Sequence, residues 1–117
     1  MKIYLASDHA GFELKEKIAE MLAKEGHEIV DKRAYEVNES DDYPGLIRLA
    51  AEPLTKEKDA RAIVLGGSGQ GEAMAANRFR GVRAAVYYGG SLDIIKLSRE
   101  HNDANVLSLG ARFLPED

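Results

Sequence analysis

A continuous apolar run, Ile63-Val64-Leu65, passes directly into Gly66-Gly67-Ser68-Gly69-Gln70-Gly71-Glu72 and then into a segment, Ala73–Arg78, of helical pattern. That order reads as a buried strand, a tight loop and a helix N-terminus. Four glycines in six residues (Gly66, Gly67, Gly69, Gly71) let the backbone come close to a ligand. The unpaired N–H groups and positive dipole end of the following helix make such a loop a ready anion site. Glu72 adds what an anion cradle lacks for chemistry, a base.

Other segments of the chain repeat this alternation. Lys2–Ser7 reads as a strand, and Ala10–Glu25 as a helix with Leu14, Ile18, Met21 and Leu22 at helical spacing and Gly26 as its stop. Glu28–Asp31 is a second strand, Lys32–Asp42 a polar loop, and Tyr43–Glu52 a helix with Pro44 in its first turn. Pro53 should kink or end that helix. Arg61–Leu65, Arg83–Tyr87 and Asn105–Leu109 read as further strands, with helices at Gly71–Arg78 and Ser91–Glu100. Strands separated by helices of this length imply parallel βαβ units with right-handed crossovers. The expected fold is a three-layer, doubly wound α/β domain of Rossmann or flavodoxin-like type, residues 1–117, with five parallel strands in the order 2-1-3-4-5. The crevice then opens at the carboxyl ends of strands 1 and 3. There Ser7-Asp8-His9-Ala10-Gly11 would face the Gly66–Glu72 loop.

The loop chemistry narrows the ligand. A mononucleotide P-loop needs a Gly-Lys-Ser/Thr ending, and this loop ends Gly71-Glu72. The dinucleotide fingerprint belongs after the first strand, where Ser7–Gly11 stands instead. Nucleotide cofactors are disfavoured, and a small phosphorylated or carbonyl-bearing ligand fits better, with main-chain N–H groups holding developing negative charge.

Charge and composition exclude several classes. The net charge of −4 is uneven: residues 1–60 carry 9 basic and 14 acidic side chains, residues 61–117 carry 7 and 6. Six of those seven basic groups are arginines, suited to bidentate phosphate or carboxylate binding. No basic run with interleaved aromatics points to nucleic acid. No stretch reaches membrane-spanning length, and the first residues lack a signal-peptide core, so the expectation is a cytoplasmic protein. With no Cys there is no thiolate nucleophile and no Cys-based zinc site, and no His or carboxylate pair shows metal-ligand spacing. His27 reads as a surface residue. His9 reads as polar decoration of a helix start, and Asp41-Asp42 as a turn. His101 reads either as a dipole-stabilised helix end or as a functional group.

Together these segments resemble a known family. Ser7-Asp8-His9-Ala10-Gly11-Phe12-Glu13-Leu14-Lys15, Asp42-Tyr43-Pro44, Gly67-Ser68-Gly69-Gln70-Gly71 with Ala75-Ala76-Asn77, Gly81-Val82-Arg83-Ala84-Ala85, and Ser98–Asn105 with Leu109-Gly110-Ala111-Arg112 look like the type B ribose-5-phosphate isomerases, which include the galactose-6-phosphate isomerase subunits. The resemblance covers essentially the whole chain. It implies an aldose–ketose isomerisation through an enediol, in the pentose phosphate pathway, with no cofactor. The family base is either a cysteine closing strand 3, here Gly66, or a glutamate ending the glycine loop, here Glu72. By resemblance Glu72 moves the proton between C1 and C2, and Gly69 and Gly71, within the Gly67–Gly71 loop, stabilise the enediolate with help from Ser68. His101 with Asp8 opens the sugar ring, Tyr43 and Asn102 contact sugar hydroxyls, and His9 and Arg112 hold the phosphate. The implied partner is a second copy, as a homodimer or dimer of dimers, with the site at the interface.

The chain also departs from the family. It ends at Asp117, without the C-terminal helix and its phosphate-binding arginines, and in the expected strand order this leaves the first helix alone on one sheet face. Pro53 and Tyr87-Tyr88-Gly89-Gly90 are unusual for the family. Two alternatives keep the same motifs: a weakly catalytic subunit of a hetero-oligomer, or a non-enzymatic sugar-phosphate sensor.

Overall fold

The computed structural model describes residues 1–8, 11–32 and 43–115, with the backbone alone at 32 and 43–46. His9 and the Asp41-Asp42 turn therefore lie outside the described residues. Five parallel strands form one sheet: β1 (Lys2–Ser7), β2 (Glu28–Lys32), β3 (Arg61–Gly66), β4 (Ala84–Tyr87) and β5 (Val106–Gly110). The helices are α1 (Phe12–Lys24), α2 (Tyr43–Ala51), α3 (Gln70–Ala76) and α4 (Asp93–Asn102). Pro53 does end a helix. After Ala51 the chain continues as a 3-10 turn over Glu52–Thr55, with Pro53 in its first positions.

The doubly wound α/β class holds, but the strand order is β2-β1-β3-β5-β4, not 2-1-3-4-5. β5 pairs with β3 on one side and β4 on the other, leaving β4 at the edge. Hydrophobic pattern cannot distinguish these orders, because β4 and β5 are both short apolar runs. Their composition tracks their place only weakly: β5 is nearly all buried, whereas Ala84, Ala85 and Val86 are only half-buried.

The order decides which face each helix covers. From β4 the chain turns back to reach β5, and a right-handed crossover in that direction puts α4 on the α1 face. The expectation of α1 alone there is thus corrected. Leu14 and Ile18 of α1 and Ile95 of α4 pack on the same cluster, built on Leu65, Tyr87 and Leu109. On the other face, Ile47, Ala50 and Ala51 of α2 and Ala76 of α3 pack against Tyr4, Ala6, Ala62, Val64 and Val106. Alternate residues of each strand thus feed two cores, which is why the strands read as unbroken apolar runs. Beside α4, near the amino ends of the strands, an apolar groove of about 260 Å³ is lined by Ile3, Ile63, Ile95 and Leu107. No helix among the described residues is long and apolar enough to cross a membrane.

Polar anchors fix the edges. Asn77, just past α3, accepts from the Ala84 N–H at 2.7 Å and donates to the Ala84 carbonyl at 3.3 Å, so its side chain clamps the start of β4. Asn105 accepts from the Arg83 N–H at 2.8 Å and donates to the Gly81 carbonyl at 2.9 Å. On α1, Lys15 is only 2% exposed, and its Nζ lies 2.5 Å from Oδ1 of Asp31 on β2. Burying an ammonium is costly unless a carboxylate and good geometry offset the lost hydration. This pair therefore ties α1 to the outer strand.

Removing Lys15 alone should then cost more than removing both charges. Lys15→Ala is expected to lower unfolding stability by about 2 kcal/mol or more, and Lys15→Met with Asp31→Leu to recover most of that loss. Urea unfolding of the two variants checks this, and equal losses would show that the pair does not tie the helix.

Candidate functional site

Parallel pairing of β1 with β3 sets the floor of the site, with Ser7 beside Leu65 in register. Just past the strand ends, the Asp8 N–H donates to the Leu65 carbonyl at 3.2 Å. Oδ1 of Asp8 in turn accepts from the Gly11 N–H at 3.2 Å, which holds the carboxylate at the start of α1. This is the crevice where the winding of the chain reverses.

The glycine loop crosses the top of this floor. Gly69 caps α3 with φ 81° and ψ −9°, a left-handed conformation that costs a side-chain-bearing residue strain and glycine nothing. Its turn brings Glu72 back over the end of β3, where the residue is buried at 6% exposure. A Cβ on Gly66 would lie 2.1 Å from the carboxyl carbon and from Oε2 of Glu72. The carboxylate therefore occupies the volume that any side chain at position 66 would fill.

Burial is the main cause that pushes the Glu72 carboxyl above its ordinary range. Its own main-chain N–H pulls the other way, the Asp8 charge adds to the rise, and the Gly69 N–H again lowers it. The fold itself, before any ligand binds, therefore raises the basicity of this carboxylate. The Asp8 charge is near enough to act on Glu72, and the Gly69 N–H reaches the same carboxylate.

Arg112 comes to this loop from the other side. It follows β5 in a 3-10 turn, its N–H donates to the Gly67 carbonyl at 3.0 Å, and its side chain runs over Gly67, with Nε 3.2 Å from where a Cβ there would be. Ser68 is exposed, and its Oγ accepts from the Gln70 N–H at 3.2 Å, leaving the hydroxyl hydrogen to point elsewhere. Gly71 lies half-buried in the first turn of α3. The rings of exposed Tyr88 and Phe113 pack in a tilted arrangement with centroids 5.9 Å apart, and the Cβ of Tyr88 lies 2.8 Å from where a Cβ on Gly110 would be, so this pair flanks the loop on the β4 side.

Not every expected residue converges. His101 and Asn102 are exposed in the last turn of α4, which runs from the carboxyl end of β4 back to the amino end of β5. A strand of six residues spans roughly 20 Å, so within one chain His101 sits about that far from the glycine loop. Tyr43 begins α2, but its side chain lies outside the described residues, as His9 does entirely. Among the described residues no group of three or more His, Cys, Asp or Glu could hold a metal ion. Two features went unread in the sequence, Gly66 as the seat of the carboxylate and a buried hydroxyl at Ser108. The first was signalled by the missing side chain at a strand end, the second by one serine inside an apolar strand.

Comparison with known proteins points the same way. Residues 3–117 match the family model described as Ribose/Galactose Isomerase. The ribose-5-phosphate isomerase B of Mycolicibacterium paratuberculosis is 44% identical over 113 residues, covering 97% of this chain and 70% of the relative. That of Escherichia coli is 38% identical, covering 97% and 74%. Among solved structures, ribose-5-phosphate isomerase B of Mycoplasma genitalium with bound ribulose-5-phosphate aligns with TM-score 0.89 at 38% identity, over 98% of this chain and 75% of that one. The Clostridium thermocellum enzyme aligns at 0.86 and 40% identity, over 100% and 77%.

The buried base has a stability consequence. A carboxyl whose folded pKa is raised binds its proton more tightly when folded, so it costs stability above that pKa. The cost disappears as pH falls through the folded value toward the unfolded one, about 4.3. Glu72→Gln is expected to melt higher than the parent chain at pH 8, with the difference closing by about pH 4. Thermal melts across that range check it, and a lower Tm for the variant at pH 8 would contradict a costly burial.

Proposed function

The chain belongs to the ribose/galactose isomerase family, and we propose that it interconverts ribose 5-phosphate and ribulose 5-phosphate by enediol proton transfer, without a cofactor. One observation carries the reading: a buried carboxylate of raised pKa, seated over a side-chain-free strand end beside main-chain amides. A sensor that only binds a sugar phosphate gains nothing from holding such a base there.

The chemistry divides among named residues. Glu72 takes the proton from C2 of the open-chain aldose and returns it to C1, acting first as base and then as acid. A raised pKa suits both roles, since the group must hold a proton briefly and release it. Charge builds on the carbonyl oxygen as the enediolate forms, and we assign its stabilisation to the N–H groups of Gly69 and Gly71 with the Ser68 hydroxyl. Gly67 keeps this backbone open to the sugar. Arg112, bordering Gly67, supplies a fixed positive charge for the phosphate, with His9 as its partner. A base at position 66 and a base at position 72 would compete for one volume, which is consistent with this chain carrying Gly66 together with Glu72.

Ring opening needs a second acid–base pair, to take the proton of the anomeric hydroxyl and protonate the ring oxygen. We assign it to His101 with Asp8, and the contacts to sugar hydroxyls to Asn102 and Tyr43. Because His101 lies at the far end of its own sheet, it must come from a second copy. The surface of α4 supports this: Ile94 and Leu97 are exposed on the stripe that ends at His101. A homodimer that buried this stripe would deliver His101 and Asn102 into the partner's cleft.

Incubating the chain with ribose 5-phosphate and following ketose formation tests the chemistry. Glu72→Gln is expected to lose at least about a hundredfold in kcat, and the native rate to fall on the acid side with an apparent pKa above about 4.3. Mixing and co-refolding Glu72→Gln with His101→Ala is expected to restore about a quarter of native activity, because half the dimers then carry one intact site. Equal activity of native and Glu72→Gln chains would remove this base, no native activity would favour the sensor, and no recovery on mixing would place both groups in one chain.

A further inference from the structure

Along β5, Val106 faces the α2–α3 core, and Leu107 and Leu109 pack toward α1 and α4. Ser108 falls on the Val106 side, paired in register with Val64 and Val86, and is fully buried. A hydroxyl in that position is the exception in an apolar layer. Such a group must make a hydrogen bond or destabilise the fold.

Its bond goes to the glycine loop. Ser108 Oγ donates to the Gly69 carbonyl at 2.6 Å, across 39 positions of sequence. The same carbonyl already accepts from the Ala73 N–H at 3.1 Å, the first hydrogen bond of α3. Satisfying the carbonyl therefore does not require a serine. What the second bond adds is direction: with both lone pairs engaged, the Gly69–Gln70 peptide is held against rotation. Gly69 takes a left-handed conformation open mainly to glycine, with the Leu109–Gly110 backbone about 3 Å from where its Cβ would be. The N–H groups on either side of the clamp engage two side chains of the candidate site. The Gly69 N–H acts on the Glu72 carboxylate, and the Gln70 N–H binds Ser68 Oγ.

We propose that Ser108 is a positioning residue for the proton transfer, fixing the Gly69–Gln70 peptide so that the loop amides, the Ser68 hydroxyl and the Glu72 carboxylate keep their reactive geometry. The proposal rests on the isomerase reading given above. It concerns a side chain that never touches substrate, and acts because a misplacement of under an ångström in a preorganised site costs rate.

The test compares Ser108→Ala with Ser108→Thr, which keeps the hydroxyl, using ribose 5-phosphate. In folded protein, verified by circular dichroism, Ser108→Ala is expected to lower kcat about tenfold with KM within about twofold of native. The acidic limb of its kcat profile should move upward, because a loosened Gly69 N–H stabilises the Glu72 charge less. Ser108→Thr is expected to stay within about threefold of native kcat. Native kcat and an unmoved limb in folded Ser108→Ala, with only its Tm lowered, would overturn the proposal, as would a folded Ser108→Thr no more active than Ser108→Ala. An inactive native chain would instead sink the isomerase reading itself, so the two failures are distinct.

Discussion

The site depends on one steric fact, that β3 ends on a residue without a side chain and a carboxylate lies in the space this leaves. Gly66 is the last residue of a fully buried strand, where a Cβ would meet Glu72 at 2.1 Å. Because the carboxylate is seated there and not in solvent, burial raises its pKa, and because α3 begins just before it, main-chain amides limit that rise. Base strength and position thus have one origin. A carboxyl raised by burial and restrained by amides is suited to the proposed proton transfer, in which it must both take up and release a proton.

The insertion of β5 between β3 and β4 is the second determinant. It brings three otherwise distant residues against the glycine loop: Ser108 through its hydroxyl, Gly110 through its backbone beside Ser68, and Arg112 through its N–H and side chain. With β5 at the sheet edge none of these contacts could form, since β4 would stand between. The same insertion sends α4 to the α1 face and carries His101 to the far end of the sheet. The strand order therefore both assembles the glycine-loop side of the site and keeps His101 away from it within one chain, and the proposed ring opening calls on a second copy for that reason.

How far the sequence could be read follows from the range of each interaction. Element types and most boundaries were legible because periodicity, Pro53 and the glycine loop act over a few residues. The buried Lys15 was not, since a lysine four positions into an amphipathic helix reads as surface until Asp31 arrives on a neighbouring strand. That a carboxylate stands at the loop's end was legible at Glu72. Its raised pKa was not, because that depends on the seat over Gly66 and on Asp8, brought near by the pairing of β1 with β3.

The amino-acid sequence by itself determined the alternation of parallel strands and helices, the glycine loop at a helix start and the carboxylate that ends it, and it carried the motifs of the ribose/galactose isomerase family. All of these are set by local chemistry or by residue type. Only the tertiary structure decided which strand lies beside β3, which helix covers which face, and which groups meet. Two short apolar strands exchange places with no change in hydrophobic pattern, and only packing of the whole sheet selects between them.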